Sequence, residues 1–256
     1  MNAYTIRHFW ELLWGMTEKE LRARYKHTAF GFLWLVANPI LQMIIIGFIF
    51  PLFVANSVRN YNYFLLTGLL AWNFFAFSLS KASASIVNER SLIKKSRFPH
   101  AVIPISIIVS NLINYMAAFM MFLLPLSFLH TLTVMSLVYF IGGLIMLMTF
   151  TIGISLLTSA LNVRYRDVNF FVQAILIVWF YATPVIYALS QIPPQLLWLW
   201  RFNPLTSSIQ LMQAALVGSA LPGPAMLTFN VLIILCTTAL GFIVFGKESK
   251  YFDDWL

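Results

Sequence analysis

The chain has 256 residues, 61% of them hydrophobic and only 9% charged, with a net charge of +8. That balance excludes a soluble globular domain, which carries about a quarter of its residues as charges. The charge is also confined: fourteen of the sixteen Lys and Arg and all eight acids fall within 7–26, 81–97, 164–167 and 247–254.

Residues 4–26 read as an amphipathic helix. Ile6, Phe9, Trp10, Leu13, Met16 and Leu21 recur at three- and four-residue steps, while Arg7, Glu11, Glu18, Lys19, Arg22 and Lys26 supply a polar surface. Trp10, Trp14 and the bases suit a helix lying in a membrane interface; a soluble lead-in is the plainer alternative. Nothing before Phe30 has the small-residue cleavage pattern of a signal peptide.

Six apolar stretches follow, at 30–54, 61–80, 102–129, 135–160, 169–188 and 225–246. Each reaches the roughly 20 residues that cross about 30 Å of hydrocarbon as a helix. They lack in/out alternation and exceed a barrel strand in length. The expected fold is therefore an all-α integral membrane protein: residues 1–29 as interface helix and lead-in, and 30–256 as one transmembrane domain of six helices.

The connections fix an orientation. Counted by side, one set of loops and termini holds fourteen bases, and the other holds only Arg59 and Arg201. The positive-inside rule places both termini in the cytoplasm. The same rule accounts for the basic excess without nucleic acid as a partner.

The second charged island, 83–97, carries Ile86, Glu89, Arg90, Leu92, Ile93, Lys94 and Lys95 on a short helical pattern with a basic face. It reads equally as a docking helix for a cytoplasmic partner or as a solvated loop. The third packs Arg164, Arg166 and Asp167 into one tight turn, where an Arg166–Asp167 structural pair is the favoured reading and Arg164 on a lipid phosphate, or a second docking element, are the alternatives. Arg201 and Asn203-Pro204 interrupt the apolar segment 196–217, so neither half can cross a bilayer. A pair of short re-entrant helices on the outer side is expected there, with an ordinary surface loop as the alternative. Gly241–Lys247 copies the spacing of a phosphate-binding loop, but Glu248 replaces the Ser/Thr that would hold magnesium, and the residues lie in an apolar helix.

The spans hold no Asp, Glu, Lys or Arg, and His8, His27, His100 and His130 sit at or beyond their ends. An ion-coupled carrier normally needs such a group within the membrane, Na⁺ held only by backbone carbonyls being the exception left open. An intramembrane enzyme needs a nucleophile with a base, or a metal cluster, and neither pattern is present. Cys236 is the sole cysteine, so no intrachain disulfide forms. Aromatic rings are abundant instead, at 24 Phe, 10 Tyr and 8 Trp. Most are expected to pack helices, yet apolar faces with polar handles also suit a path along which sugar rings slide.

Read together, several fragments resemble the membrane subunit of type-2 ABC exporters for lipid-linked polysaccharide, notably O-antigen export permeases. They are Arg24-Tyr25-Lys26, Gly31, Trp34 and Asn38-Pro39; Gly68-Leu69-Leu70-Ala71-Trp72 with Phe74-Phe75; Asn88, Leu92–Lys95, Phe98-Pro99 and Pro104–Ser106; then 161–168, Thr183–Tyr187, Ile192-Pro193 and Asn203-Pro204-Leu205.

The resemblance implies a homodimer in the bacterial inner membrane, with each copy resting on a separate ATP-binding cassette subunit. ATP and magnesium would be held there and none in this chain. It implies that 83–97 is the coupling helix docking that subunit, and that 193–217 gates the outer mouth through residues such as Trp198, Trp200, Asn203 and Pro204. Arg24, Lys26 and Arg164 become candidates for the lipid pyrophosphate, and Trp34, Trp72, Phe75, Tyr181 and Tyr187 for the sugar path. Family members often carry an acid and an arginine where this chain has Gln210 and Gln213, so a gate contact made by that pair elsewhere is not expected here. Teichoic acid and capsule permeases share this architecture. A stand-alone secondary carrier is a more distant alternative, disfavoured by the uncharged spans.

Overall fold

The protein is described by a computed structural model covering residues 3–26, 31–53, 60–95, 98–127 and 133–256. The ends of the first expected span, Arg59, Arg97, His27 and His130 lie outside the described residues. Among those described, every regular element is helical: α1 (Ala3–Tyr25), α2 (Trp34–Phe53), α3 (Tyr61–Asn88), α4 (Arg90–Lys95), α5 (Val102–Ser127), α6 (Val134–Arg164), α7 (Asp167–Ala182), α8 (Leu197–Arg201), α9 (Leu205–Val217), α10 (Pro224–Glu248) and α11 (Phe252–Trp255).

Four of these, α3, α5, α6 and α10, are long and apolar enough to cross a membrane. The expected stretches at 30–54 and 169–188 are realised as shorter apolar helices, α2 and α7. The 16 residues of α7 reach only about 24 Å. Its stop is chemical. Pro184 disfavours helical backbone at the preceding residue, and Thr183 adopts an extended conformation (φ −108°, ψ 137°).

At the centre stands α3, packed by α2, α5, α6, α7 and α9. Leu65, Leu69, Phe75 and Leu79 along it are fully buried. Lipid gives apolar helices no hydrophobic reason to associate, so close van der Waals packing through small residues has to do so. α6 and α10 show how. A Cβ added to Gly241 would lie 2.1 Å from the Gly153 carbonyl oxygen, and one added to Gly153 would lie 2.5 Å from Thr238 Cα. Thr238 Oγ1 donates across the same contact to the Thr149 carbonyl at 3.0 Å. The look-alike phosphate loop is thus a stretch of helix whose Gly241 lets two backbones touch.

The segment 196–217 forms two short helices, α8 and α9. α9 is buried along nearly its whole length between α3 and α6, so its residues do not form a surface loop. Gly143 on α6 makes room for it: a Cβ there would meet the Ser208 carbonyl at 2.6 Å.

A second apolar cluster closes the charged end of the bundle, joining Ile86, Ile93, Ile103, Leu156, Val163, Phe245 and Phe252. It alters the reading of 83–97. α3 continues to Asn88, the chain turns at Glu89, and only Arg90–Lys95 forms a separate helix. α1 lies against α5, burying Leu13 and Thr17. Trp10 and Trp14 remain 62% and 63% exposed, a pair of outward-facing indoles that suits an interface.

Candidate functional site

The described residues enclose a cavity of about 480 Å³ between the end of α1, α2, α3 and α5. Arg24 and Lys81 stand in its wall, and no acid does. The rest is uncharged, with the amides Asn38, Asn73, Asn111 and Asn114 beside the rings of Trp34, Phe74, Phe77 and Tyr115 and small or apolar residues such as Pro39, Leu70 and Ala118.

The amides are arranged in relays. The Arg24 guanidinium donates to Asn111 Oδ1, and Asn111 Nδ2 donates to Ser78 Oγ at 3.1 Å. Tyr25 Oη donates to Asn114 Oδ1 at 2.9 Å. Burial pushes the Tyr25 phenol above its ordinary pKa against the lowering effect of Arg24, so it stays a neutral donor. Nearby, Asn73 Nδ2 donates to Gln42 Oε1 at 3.1 Å. Two buried polar atoms of the wall, Asn114 Nδ2 and Tyr115 Oη, have no hydrogen-bond partner among the described residues. Unpaired buried donors of this kind are costly, and a polar ligand would satisfy them. Chemically, the cavity offers cations at one end and hydroxyl-binding amides with flat rings beyond.

Of the three pyrophosphate candidates, the structure brings only Arg24 into this cavity. Lys26 is exposed one residue past α1. Arg164 ends α6 elsewhere, 5.3 Å from the Tyr165 ring centroid and 5.5 Å from that of Trp255. No ion pair joins Arg166 to Asp167. The turn is closed instead by Asn162 Oδ1, which accepts the Asn169 N–H at 3.2 Å, while Asp167 sits in the first turn of α7, where the helix dipole favours an acid.

The sugar-path candidates separate. Trp34 lines the cavity and is 46% exposed. Trp72 and Phe75 do not line it; they are buried in the core, Trp72 against Phe180 and Phe75 against Phe150 and Trp179. The reason is packing: α3 is surrounded, so rings on its far side meet α6 and α7. Tyr181 is exposed on α7, and its carbonyl accepts from Tyr187 Oη at 2.8 Å. Tyr187 in turn accepts from Trp200 Nε1 at 3.0 Å.

Asn203 is a clasp. Its Oδ1 accepts from Trp179 Nε1 and the Leu205 N–H, while its Nδ2 donates to the Ala182 carbonyl and Thr183 Oγ1, all within 2.9–3.1 Å. It joins the end of α7 to the start of α9, with Pro204 buried beside it. Trp198 is exposed on α8. Gln210 and Gln213 are buried in α9 and line a second cavity, of about 510 Å³, with Tyr187 and Leu197. Gln213 Nε2 approaches the carbonyls of Phe64 and Pro184 at 3.4 Å.

For the docking residues, Ile86 and Ile93 are removed from any docking surface by their burial in the second cluster. Arg90, Lys94 and Lys95 are exposed, Leu92 is half-buried, and Glu89 is bound to Lys19. Sequence reasoning missed Lys81, Asn114 and Asn230. Lys81 had a signal, being the first charge after a span. Asn230 had none, since its contacts are long-range: its Oδ1 accepts the Ser207 N–H at 3.0 Å and its Nδ2 donates to the Arg201 carbonyl at 2.7 Å.

The chain is similar in sequence to known proteins. The family model described as ABC-2 type transporter matches residues 11–217. Similar relatives include two proteins of Klebsiella pneumoniae and one of Myxococcus xanthus, each named O-antigen export system permease protein RfbA. The first Klebsiella protein is 34% identical over 80% of both chains. The second is 32% identical over 99% of this chain and 98% of its own. The Myxococcus protein is 33% identical over 93% of both. A match over most of the chain, on an all-helical bundle with four span-length apolar helices, leads to one conclusion: the chain belongs to the ABC-2 type transporter family of membrane proteins.

Proposed function

We propose that this chain is the permease subunit of an exporter that moves undecaprenyl-pyrophosphate-linked polysaccharide, lipopolysaccharide O-antigen in particular, across the bacterial inner membrane. Two copies form the path, two ATP-binding cassette subunits drive it, and both termini face the cytoplasm. The names of its relatives support the substrate class, and the loop charges support the orientation.

The observation that carries the reading is the cavity beside α1. A lipid pyrophosphate needs cations at the membrane edge, which Arg24 and Lys81 supply. The first sugars need hydroxyl partners and flat apolar faces, which the amides and Trp34 supply. A long polymer moves only if no single contact holds it tightly, and a wall of neutral groups meets that condition. The exposed bases Arg90, Lys94 and Lys95 on α4 meet the ATPase subunit.

The test is transport in proteoliposomes containing the chain and its ATPase subunit. Undecaprenyl-pyrophosphate-linked polysaccharide should cross in the presence of ATP and stay put without it. An ATPase-active complex that leaves the polymer outside would remove the proposal.

A further inference from the structure

Lys81 belongs to two cavities at once. It lines the large one beside Arg24, and also a smaller one of about 170 Å³ on the α1 side, whose wall includes Lys19, Glu20 and Glu89. Its ammonium is paired with the Glu20 carboxylate, which lines the smaller space and is not among the described residues lining the larger one. The two cations of the large cavity are therefore held differently. Arg24 is fixed by the neutral Asn111 amide, which orients the guanidinium and leaves its charge intact. Lys81 is already neutralised from behind.

We propose that the diphosphate of the lipid-linked substrate takes Lys81 away from Glu20, so that Glu20 acts as a built-in competitor setting the affinity for the headgroup. This rests on the reading of the cavity given above. The exchange suits the groups involved. The Lys81 side chain is 44% exposed on a flexible four-carbon stem, whereas Glu20 is 16% exposed on a helix packed against α5. The ammonium can turn toward a new anion, and the carboxylate is not positioned to follow it. Two phosphoryl groups between Arg24 and Lys81 make charge-assisted hydrogen bonds with more acceptor oxygens than one carboxylate offers. The released Glu20 stays in a cavity lined also by Lys19, which it would share with Glu89, the present partner of Lys19.

A competitor has a thermodynamic signature that a purely structural ion pair lacks: removing it tightens binding. Undecaprenyl pyrophosphate binding would be measured by native mass spectrometry on the full chain with its ATPase subunits, free of nucleotide, in phosphatidylcholine nanodiscs. Glu20→Gln should bind more tightly, by up to about fivefold, the range expected from releasing a partly exposed ion pair. Lys81→Gln should bind more weakly, Lys81→Arg should retain binding, and the Glu20→Gln/Lys81→Gln double variant should gain nothing over Lys81→Gln.

Unchanged or weaker binding by Glu20→Gln, with wild-type binding intact, overturns the exchange. Should Lys81→Gln fail to fold, the Glu20→Gln measurement decides alone. A wild-type complex that does not bind the diphosphate defeats the proposed function itself, a separate outcome. Equal displacement by phosphatidylglycerol at the same mole fraction would mark a site for any anionic headgroup and overturn the diphosphate assignment.

Discussion

Lys19 Nζ lies 2.7 Å from Glu89 Oε1, tying α1 to the turn at which α3 gives way to α4. The two residues are 70 positions apart, so the pair joins an interface helix to the segment proposed to meet the ATPase. Partly exposed pairs contribute about 0.2–1 kcal/mol. Lys19→Gln is accordingly expected to leave the fold intact and to lower polymer moved per ATP hydrolysed by roughly two- to fivefold. The Lys19→Glu/Glu89→Lys exchange should restore the ratio, measured in proteoliposomes.

Charge and packing on α4 are separable. Lys94→Glu with Lys95→Glu alters exposed residues and should abolish co-purification of the ATPase subunit while the melting temperature stays constant. Ile93→Ala removes a buried side chain from the second cluster and should cost about 2–5 kcal/mol of stability. Thermal unfolding of the purified permease, run beside the pull-down, distinguishes the two.

Trp34 and Trp72 make a matched pair. Trp72 is 6% exposed and packed against Phe75 and Phe180, so Trp72→Ala should lose about 3–5 kcal/mol and reduce the folded yield. Trp34 is 46% exposed in the cavity wall. Trp34→Ala should fold normally and slow export. Normal export by folded Trp34→Ala would remove Trp34 from the sugar path.

Two glycines of α10 should respond oppositely to alanine. At Gly241 the new methyl would overlap the Gly153 backbone, which has nowhere to move, and a loss of about 1–3 kcal/mol or more is expected. At Gly246 nothing lies within 4 Å, and the gain in helix propensity should stabilise by about 0.5–1 kcal/mol. Unfolding midpoints of both variants check the sign.

Much of this molecule could be read from its residues, because the strongest signals were local. Hydropathy marked the apolar helices, and the three- to four-residue recurrence of Phe9, Leu13 and Met16 marked α1. Arg201 with Asn203-Pro204 announced that 196–217 would break into two helices. Other features depend on which helix faces which, and sequence spacing does not carry that. Ile86 and Ile93 looked like the apolar edge of a docking helix, yet Phe245 and Phe252 from the far end of the chain cover them. Trp72 and Phe75 share a motif with Phe74, but of the three only Phe74 turns toward Tyr115 on α5 and the cavity. Asn203 looks like loop polarity, and Asn230 like a lone amide in an apolar helix, until their partners are seen. Lys81 had only its position after a span to mark it, and its pairing with Glu20 belongs to the fold.

The contact between Gly153 and Gly241 also limits how this permease can open. With one backbone pressed on another and a threonine hydroxyl bridging them, α6 and α10 cannot slide or part without losing that interlock. They behave as a single stator. Motion has to be taken up by parts packed less extensively among the described residues: α2 and α7, and the extended joint at Thr183 between α7 and the outer helices. The transport stroke of such a machine turns around α6–α10 rather than through it.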